Sequence, residues 1–541
     1  MKRFLIQHFW FLLLFWIATF AIYFKAHPGS LVDDGHAAIV DFKTMGWRGF
    51  LNNYGMSSLY HVHDFINNIW YCLFGLNTKA WFALTASLHA INAWLLFCFI
   101  FYWLKKLSAK YFFEISVSGA ALFLLSPYQS ENIIWAATHH YGFAMLFFWI
   151  LAFLTLNLNQ ENYKKNAFIT YLIFSLSLLT REETLVYPGV LVTLFIVQKI
   201  TQKSNLETKK YFTHFVLPFL LLIVLYFILT RIAKGHWIPH YGTTHIENIS
   251  LRRWVSVFLQ YCAKNLFLIH FFNLPIRESI YIEIIEKHVW KLTVIVVLVL
   301  VIIMRFFLRN NRQKLIFGFL SFSVLILTLP VLNLYFMYIF PYENDRMSYF
   351  FGLFFFPLVA YMLFTIFKRF ALTIILPALV LFLVLDNRKA LCWQQAGSFF
   401  FNCVNSLPDQ PQGRMFFLSI PLKYQGVYAF RSINRIENAI MLADKKVSKH
   451  QLIGIAWAEF SHPSDNVLVE KINESEYAVA LQLKKGSWLM QNEMGATDRE
   501  TKDYIFNITD ANCCYRLKIK QKLPDDSFWI IKNGKFAPLG L

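Results

Sequence analysis

Long apolar runs separated by short basic stretches fill the chain from Trp10 to Leu385. A helical run of about 20 apolar residues matches the hydrocarbon thickness of a bilayer. Such runs lie at about 9–24, 81–104, 112–126, 142–157, 167–179, 184–198, 211–231, 291–307, 315–334, 350–366 and 371–386, which predicts about eleven spans. Lys and Arg set the orientation, because they collect in cytoplasmic loops. Lys2 and Arg3 put the N-terminus inside, and the first run, which lacks a small-residue cleavage site, reads as a retained anchor. Lys105, Lys106, Lys110, Lys164, Lys165, the 199–210 segment, Arg305, Arg309, Arg312, Lys314, Lys368 and Arg369 then fall inside. Reading Trp254–Asn273 as a further span would move the Arg305–Lys314 cluster outside. That stretch is therefore expected to lie on, or dip into, the outer leaflet.

The pattern changes at two places. After the first run, Asp33-Asp34-Gly-His-Ala-Ala-Ile-Val-Asp-Phe opens like a helix, with acids in its first turn and apolar spacing up to Gly46. Such a helix would lie along the membrane surface within an outer loop, 25–80. From Asn387 the chain becomes charged, and Arg414–Ile420 and Tyr477–Leu483 read as strands. The expectation is a polytopic α-helical membrane domain over 1–386. A small β-rich or α+β extracytoplasmic domain over 387–541, without periodic repeats, would follow it.

Composition agrees with a membrane protein: 57% of residues are hydrophobic and 15% charged, against about 25% charged in soluble domains. The formal charge of +19 resides in the loops between apolar runs, so it points to orientation and anionic headgroups rather than nucleic acid. Seven cysteines lack metal-ligand spacing. Cys72, Cys98 and Cys262 read as packed thiols, whereas Cys392, Cys403, Cys513 and Cys514 would be free to pair in an exported tail.

Ionisable residues at a membrane edge are costly, and each is a candidate for function. Four groups fall on the outer side: Asp33 and Asp34; Glu131 with His139 and His140; Arg181, Glu182 and Glu183; and Glu343, Asp345 and Arg346. The plain alternative is that outer loops are polar because they meet water. Asp33 or Asp34 also suits a helix cap, and Arg346 suits pairing with Glu343 or Asp345. His89, inside the second run, reads as a hydrogen-bonded core histidine. Trp237, His240 and His245 would line a substrate path or anchor at the interface.

Four blocks carry a family resemblance. They are Leu73–Phe97 in the second run, Ser126-Pro-Tyr-Gln-Ser-Glu-Asn-Ile-Ile-Trp, Leu179-Thr-Arg-Glu-Glu-Thr-Leu-Val-Tyr-Pro and Glu343-Asn-Asp-Arg-Met-Ser-Tyr. In order and spacing they resemble the GT-C glycosyltransferases, nearest the bacterial relatives of the tetratricopeptide-containing O-mannosyltransferases, over residues 10–400. The resemblance implies a multi-pass enzyme of a bacterial inner membrane that moves a sugar from a polyprenyl-phosphate donor to an outer acceptor. It maps the catalytic base to Asp33 or Asp34, the second acid to Glu131 and the late arginine to Arg346. His139, His140, Arg181, Glu182, Glu343 and Asp345 would join in substrate binding. The chain departs from the pattern at Gln129, at Thr138–Tyr141 and at His61–Asp64, and it lacks the repeats, so sugar and acceptor stay open.

The chemistry is consistent with these residue types. A phosphate leaving group needs cations more than a proton, an acceptor hydroxyl needs a carboxylate base, and inversion needs only one such base. No metal constellation stands out, and a divalent metal remains compatible with the acid positions. The competing readings are a transporter, flippase or polymerase of lipid-linked saccharides, or a non-catalytic assembly factor. A transporter is expected to show related halves and mid-membrane charges.

Overall fold

The computed structural model describes residues 6–51, 58–238, 250–308, 310–334, 336, 338, 344–446, 451–484, 488–491 and 494–540. Glu343, His240 and His245 lie outside them. The N-terminal three quarters is a helical bundle built from α1 (Phe9–Tyr23), α2 (Ala37–Leu51), α3 (His61–Phe74), α4 (Thr78–Lys106), α5 (Phe112–Leu124), α6 (His139–Leu156), α7 (Tyr163–Leu178), α8 (Tyr187–Ile200), α9 (Leu217–Lys234), α10 (Leu251–Phe267), α11 (Val289–Phe306), α12 (Asn311–Leu332), α13 (Ser348–Phe367) and α14 (Ala371–Ser406). Among the described residues, eight helical segments are long and apolar enough to cross a membrane. The last of these, Asp345–Ser406, contains both α13 and α14.

Each of the eleven expected runs holds a helix, but α5 has 13 residues and α7 has 16, too short to count by length. The expected outer loop holds two helices rather than one. The helix after Asp34 runs past Gly46 to Leu51 with a break at that glycine (φ 56°), and α3 follows it. The amphipathic α10 covers most of the Trp254–Asn273 stretch.

Helices that are apolar all round must be buried or meet lipid, and both kinds occur. Helices α4 and α13 form the bundle's centre, where Phe354 meets Phe99 at 6.2 Å, Trp149 at 6.2 Å and Phe319 at 5.6 Å. Helices α9 and α11 instead expose apolar residues such as Leu221, Val294 and Ile295. His89 is buried in this core, with Nδ1 3.2 Å from the Tyr349 hydroxyl and Nε2 3.1 Å from the Leu124 carbonyl.

Helix α14 continues across residue 387, where composition changes, and its second half docks the loop after α1. A Cβ on Gly397 would lie 2.2 Å from the Pro28 carbonyl carbon, so only glycine permits this approach. The β-rich region follows, with α15 (Ile433–Leu442) between its strands. Its described strands form three sheets: a mixed four-stranded sheet, a five-stranded antiparallel sheet and a mixed five-stranded sheet. The expected strands are present as Met415–Phe417 with Ile420–Tyr424 and as Glu476–Gln482, where Tyr477, Val479 and Leu481 alternate inward. This region shares one apolar core with Tyr23, Val32, Trp135 and the end of α14, which fixes it against the bundle.

All seven cysteines are free thiols, and Cys72 is exposed rather than packed. Cys513 and Cys514 approach to 2.9 Å between sulfurs without a disulfide.

Candidate functional site

The acid pair sits on a 3-10 turn, Asp33–His36, directly after the loop that docks on α14. Asp33 adopts a left-handed backbone (φ 49°) and is fully buried, whereas the Asp34 side chain is 26% exposed. Two arginines from the C-terminal region cover both carboxylates. Arg431 donates its backbone N–H to Asp33 Oδ1 at 3.1 Å, and its guanidinium pairs with Asp33 and Asp34. Arg435 pairs with Asp34 and lies 3.8 Å from Asp33 Oδ1. Such charge-assisted contacts are strong and directional.

Next to this pair, the turn Pro127–Gln129 and the short helix Ser130–Ile134 present Glu131. Glu131 Oε2 accepts the Arg346 N–H at 2.7 Å and lies 3.5 Å from its guanidinium. Burial pushes the Glu131 carboxyl above its ordinary range, against the opposing pull of Arg346. Asp345, the neighbour of Arg346, is gripped by Lys264 at 2.7 Å and by Lys389, all three being buried. Arg346 therefore pairs with Glu131, and Asp345 with two lysines. The expected Arg346–Asp345 pair does not form, and Glu343 lies outside the described residues.

Trp135 joins these two groups. The guanidinium carbons of Arg346 and Arg431 lie 5.6 and 5.7 Å from its ring centroid, within cation–π reach. Its indole N–H donates to the Val32 carbonyl at 2.9 Å, next to Asp33.

The remaining candidates form a third group reached through the same 126–141 segment. Arg181 donates to His140 Nε2 at 2.6 Å, pairs with Glu183 and lies 3.8 Å over the Tyr141 ring. Tyr60 donates to Glu182 at 2.9 Å. His63 stacks on His139 at 4.6 Å and meets His140 edge-on at 4.8 Å. Among the described residues, no group of three or more His, Cys, Asp or Glu side chains is placed to hold a metal ion. Trp237 is exposed beside Arg231 and joins none of these groups.

Sequence reading missed Lys264, Lys389, Arg431 and Arg435. Two arginines four residues apart at the start of α15 were a usable signal, because the positive end of a helix disfavours cations unless acids offset them. Lys389 carried no such signal, because it stands in the charged stretch that begins at Asn387. No protein-family model, curated protein or solved structure matches this chain.

Proposed function

We propose that the chain is a membrane glycosyltransferase that moves a sugar from a polyprenyl-phosphate donor to an acceptor hydroxyl, inverting the anomeric centre. The observation that carries this reading is the pairing of Asp33 and Asp34 with Arg431 and Arg435, with Arg346 against the same Trp135 ring as Arg431. A carboxylate pair held by two guanidiniums, with a third across the shared indole, supplies both halves of the chemistry, a base for the acceptor and cations for the departing phosphate.

Of the two acids, Asp34 is the base, because it retains exposed surface while Asp33 is closed off and holds Arg431 in place. The Asp34 carboxylate takes the acceptor proton as the acceptor oxygen bonds to the anomeric carbon. The bond from that carbon to the phosphate oxygen breaks, its electron pair stays on the phosphate, and the guanidiniums stabilise the charge. Glu131 and Asp345 keep Arg346 oriented, one through its N–H and one through the lysine grip on the adjacent residue. In this reading the apolar segments cross a bacterial inner membrane, with the acid pair and the β-rich region outside and the donor's lipid tail between helices.

The test is sugar transfer by purified protein in lipid, supplied with a panel of polyprenyl-phosphate sugars. Asp34→Asn should lower turnover by about 10²–10⁴-fold while donor binding persists. Arg431→Lys should weaken donor binding, since it loses the forked geometry that matches phosphate. Wild-type turnover in Asp34→Asn would reject Asp34 as base. Donor carried across the bilayer without any transfer, acceptors being supplied, would replace the enzyme by a transporter.

A further inference from the structure

At the opposite end of the bundle, three inter-helix connections enclose a cavity of about 610 Å³. They are the turn between α4 and α5, the one between α11 and α12, and the one between α13 and α14. Among the described residues, each contributes one cation to the lining: Lys110, Arg312 and Lys368. Among the described residues, none of the three side chains forms a hydrogen bond, an ion pair or a cation–π contact. Three other lysines at this end are engaged. Lys106 donates to the Leu156 carbonyl and to Gln198, Lys199 donates to the Leu206 carbonyl, and Lys210 pairs with Glu207. Three unneutralised cations facing one cavity repel one another, and an anion relieves that cost.

The rest of the lining says what kind of anion. Phe306 and Phe307 stand at the rim and are exposed, Phe306 to 67%, while Ile316 and Phe364 form buried apolar walls. A free inorganic anion would gain nothing from these surfaces, whereas an amphiphile would fill both parts. We infer that this cavity binds the phosphate headgroup of an anionic membrane lipid, with its acyl chains along Phe306 and Phe307. Basic pockets between membrane helices suit such headgroups. The site is separate from the acid pair and does not depend on the proposed reaction.

The test uses the full-length chain in phosphatidylcholine nanodiscs, titrated with a fluorescent phosphatidylglycerol probe. Saturable binding is expected, weakened roughly fivefold for each of Lys110→Gln, Arg312→Gln and Lys368→Gln, and roughly a hundredfold for the triple variant. Arg substitutions at Lys110 and Lys368 should restore binding, and Lys164→Gln with Lys165→Gln, on another loop, should leave it unchanged. Equal loss in that control, or no loss in the triple variant with an unchanged unfolding midpoint, would overturn the site. Displacement of the probe by inorganic phosphate as readily as by unlabelled phosphatidylglycerol would overturn the lipid as its ligand.

Discussion

Arg431 reaches Asp33 across 398 residues of sequence, donating its backbone N–H at 3.1 Å while its guanidinium pairs with the same carboxylate. The β-rich region is thereby tied to the first loop of the bundle through a buried acid. Removing one partner of such a pair leaves the other charge uncompensated, which costs about 3–5 kcal/mol.

Arg431→Met should therefore lower stability by about 3 kcal/mol, and Asp33→Asn combined with it should recover most of that loss. Thermal unfolding of the two single variants and the double variant in detergent measures the coupling. Strictly additive losses would mean that Asp33 and Arg431 do not depend on each other.

Asp345 sits between two buried lysines, so Asp345→Asn strands two cations, whereas Lys264→Met leaves one matched pair with Lys389. The aspartate variant should be the more damaging, with loss of folded protein on size-exclusion chromatography. A milder effect from Asp345→Asn than from Lys264→Met would contradict the arrangement.

His36 is buried in stacked contact with Phe400, centroids 5.1 Å apart, and its Nδ1 has no hydrogen-bond partner among the described residues. Burial lowers its pKa to about 4 despite the neighbouring Asp33. The unfolded chain therefore binds a proton near pH 6.5 that the folded chain refuses until about pH 4. Stability contributed by neutral His36 is present above pH 6.5 and lost as the pH falls towards 4, by about 3 kcal/mol. His36→Phe should flatten this part of the pH profile, and unfolding midpoints from pH 7 to 4 report it.

Gly397 allows α14 to press on Pro28, where a Cβ would sit 2.2 Å from backbone. Gly397→Ala should push away the loop carrying Asp33 and lower both stability and proteolytic resistance of the first loop. Gly318→Ala, within α12 with open space around it, should be neutral or stabilise by about 0.4–1 kcal/mol. Similar behaviour of the two variants would mean that the α14–loop contact does not position the acid pair.

Long apolar runs located a helix in every expected span, and strand alternation located Glu476–Gln482. These are local properties, since helix and strand burial repeat every few residues. The ends of helices were less legible. Helix α14 runs on past Asn387 because its second half is covered by the first loop and the β-rich region, a burial that composition along one segment does not display.

The candidate acids were recognisable because ionised groups beside apolar runs are costly wherever they stand. Their partners were not: Glu131 takes Arg346 rather than leaving it to Asp345, Asp345 takes Lys264 and Lys389, and Asp33 takes Arg431. Sequence by itself determined that each long apolar run is helical and which charges need neutralising. Only the tertiary structure decided which cation neutralises each acid, because ion pairing depends on distances of a few ångströms between residues hundreds of positions apart, and packing sets those distances.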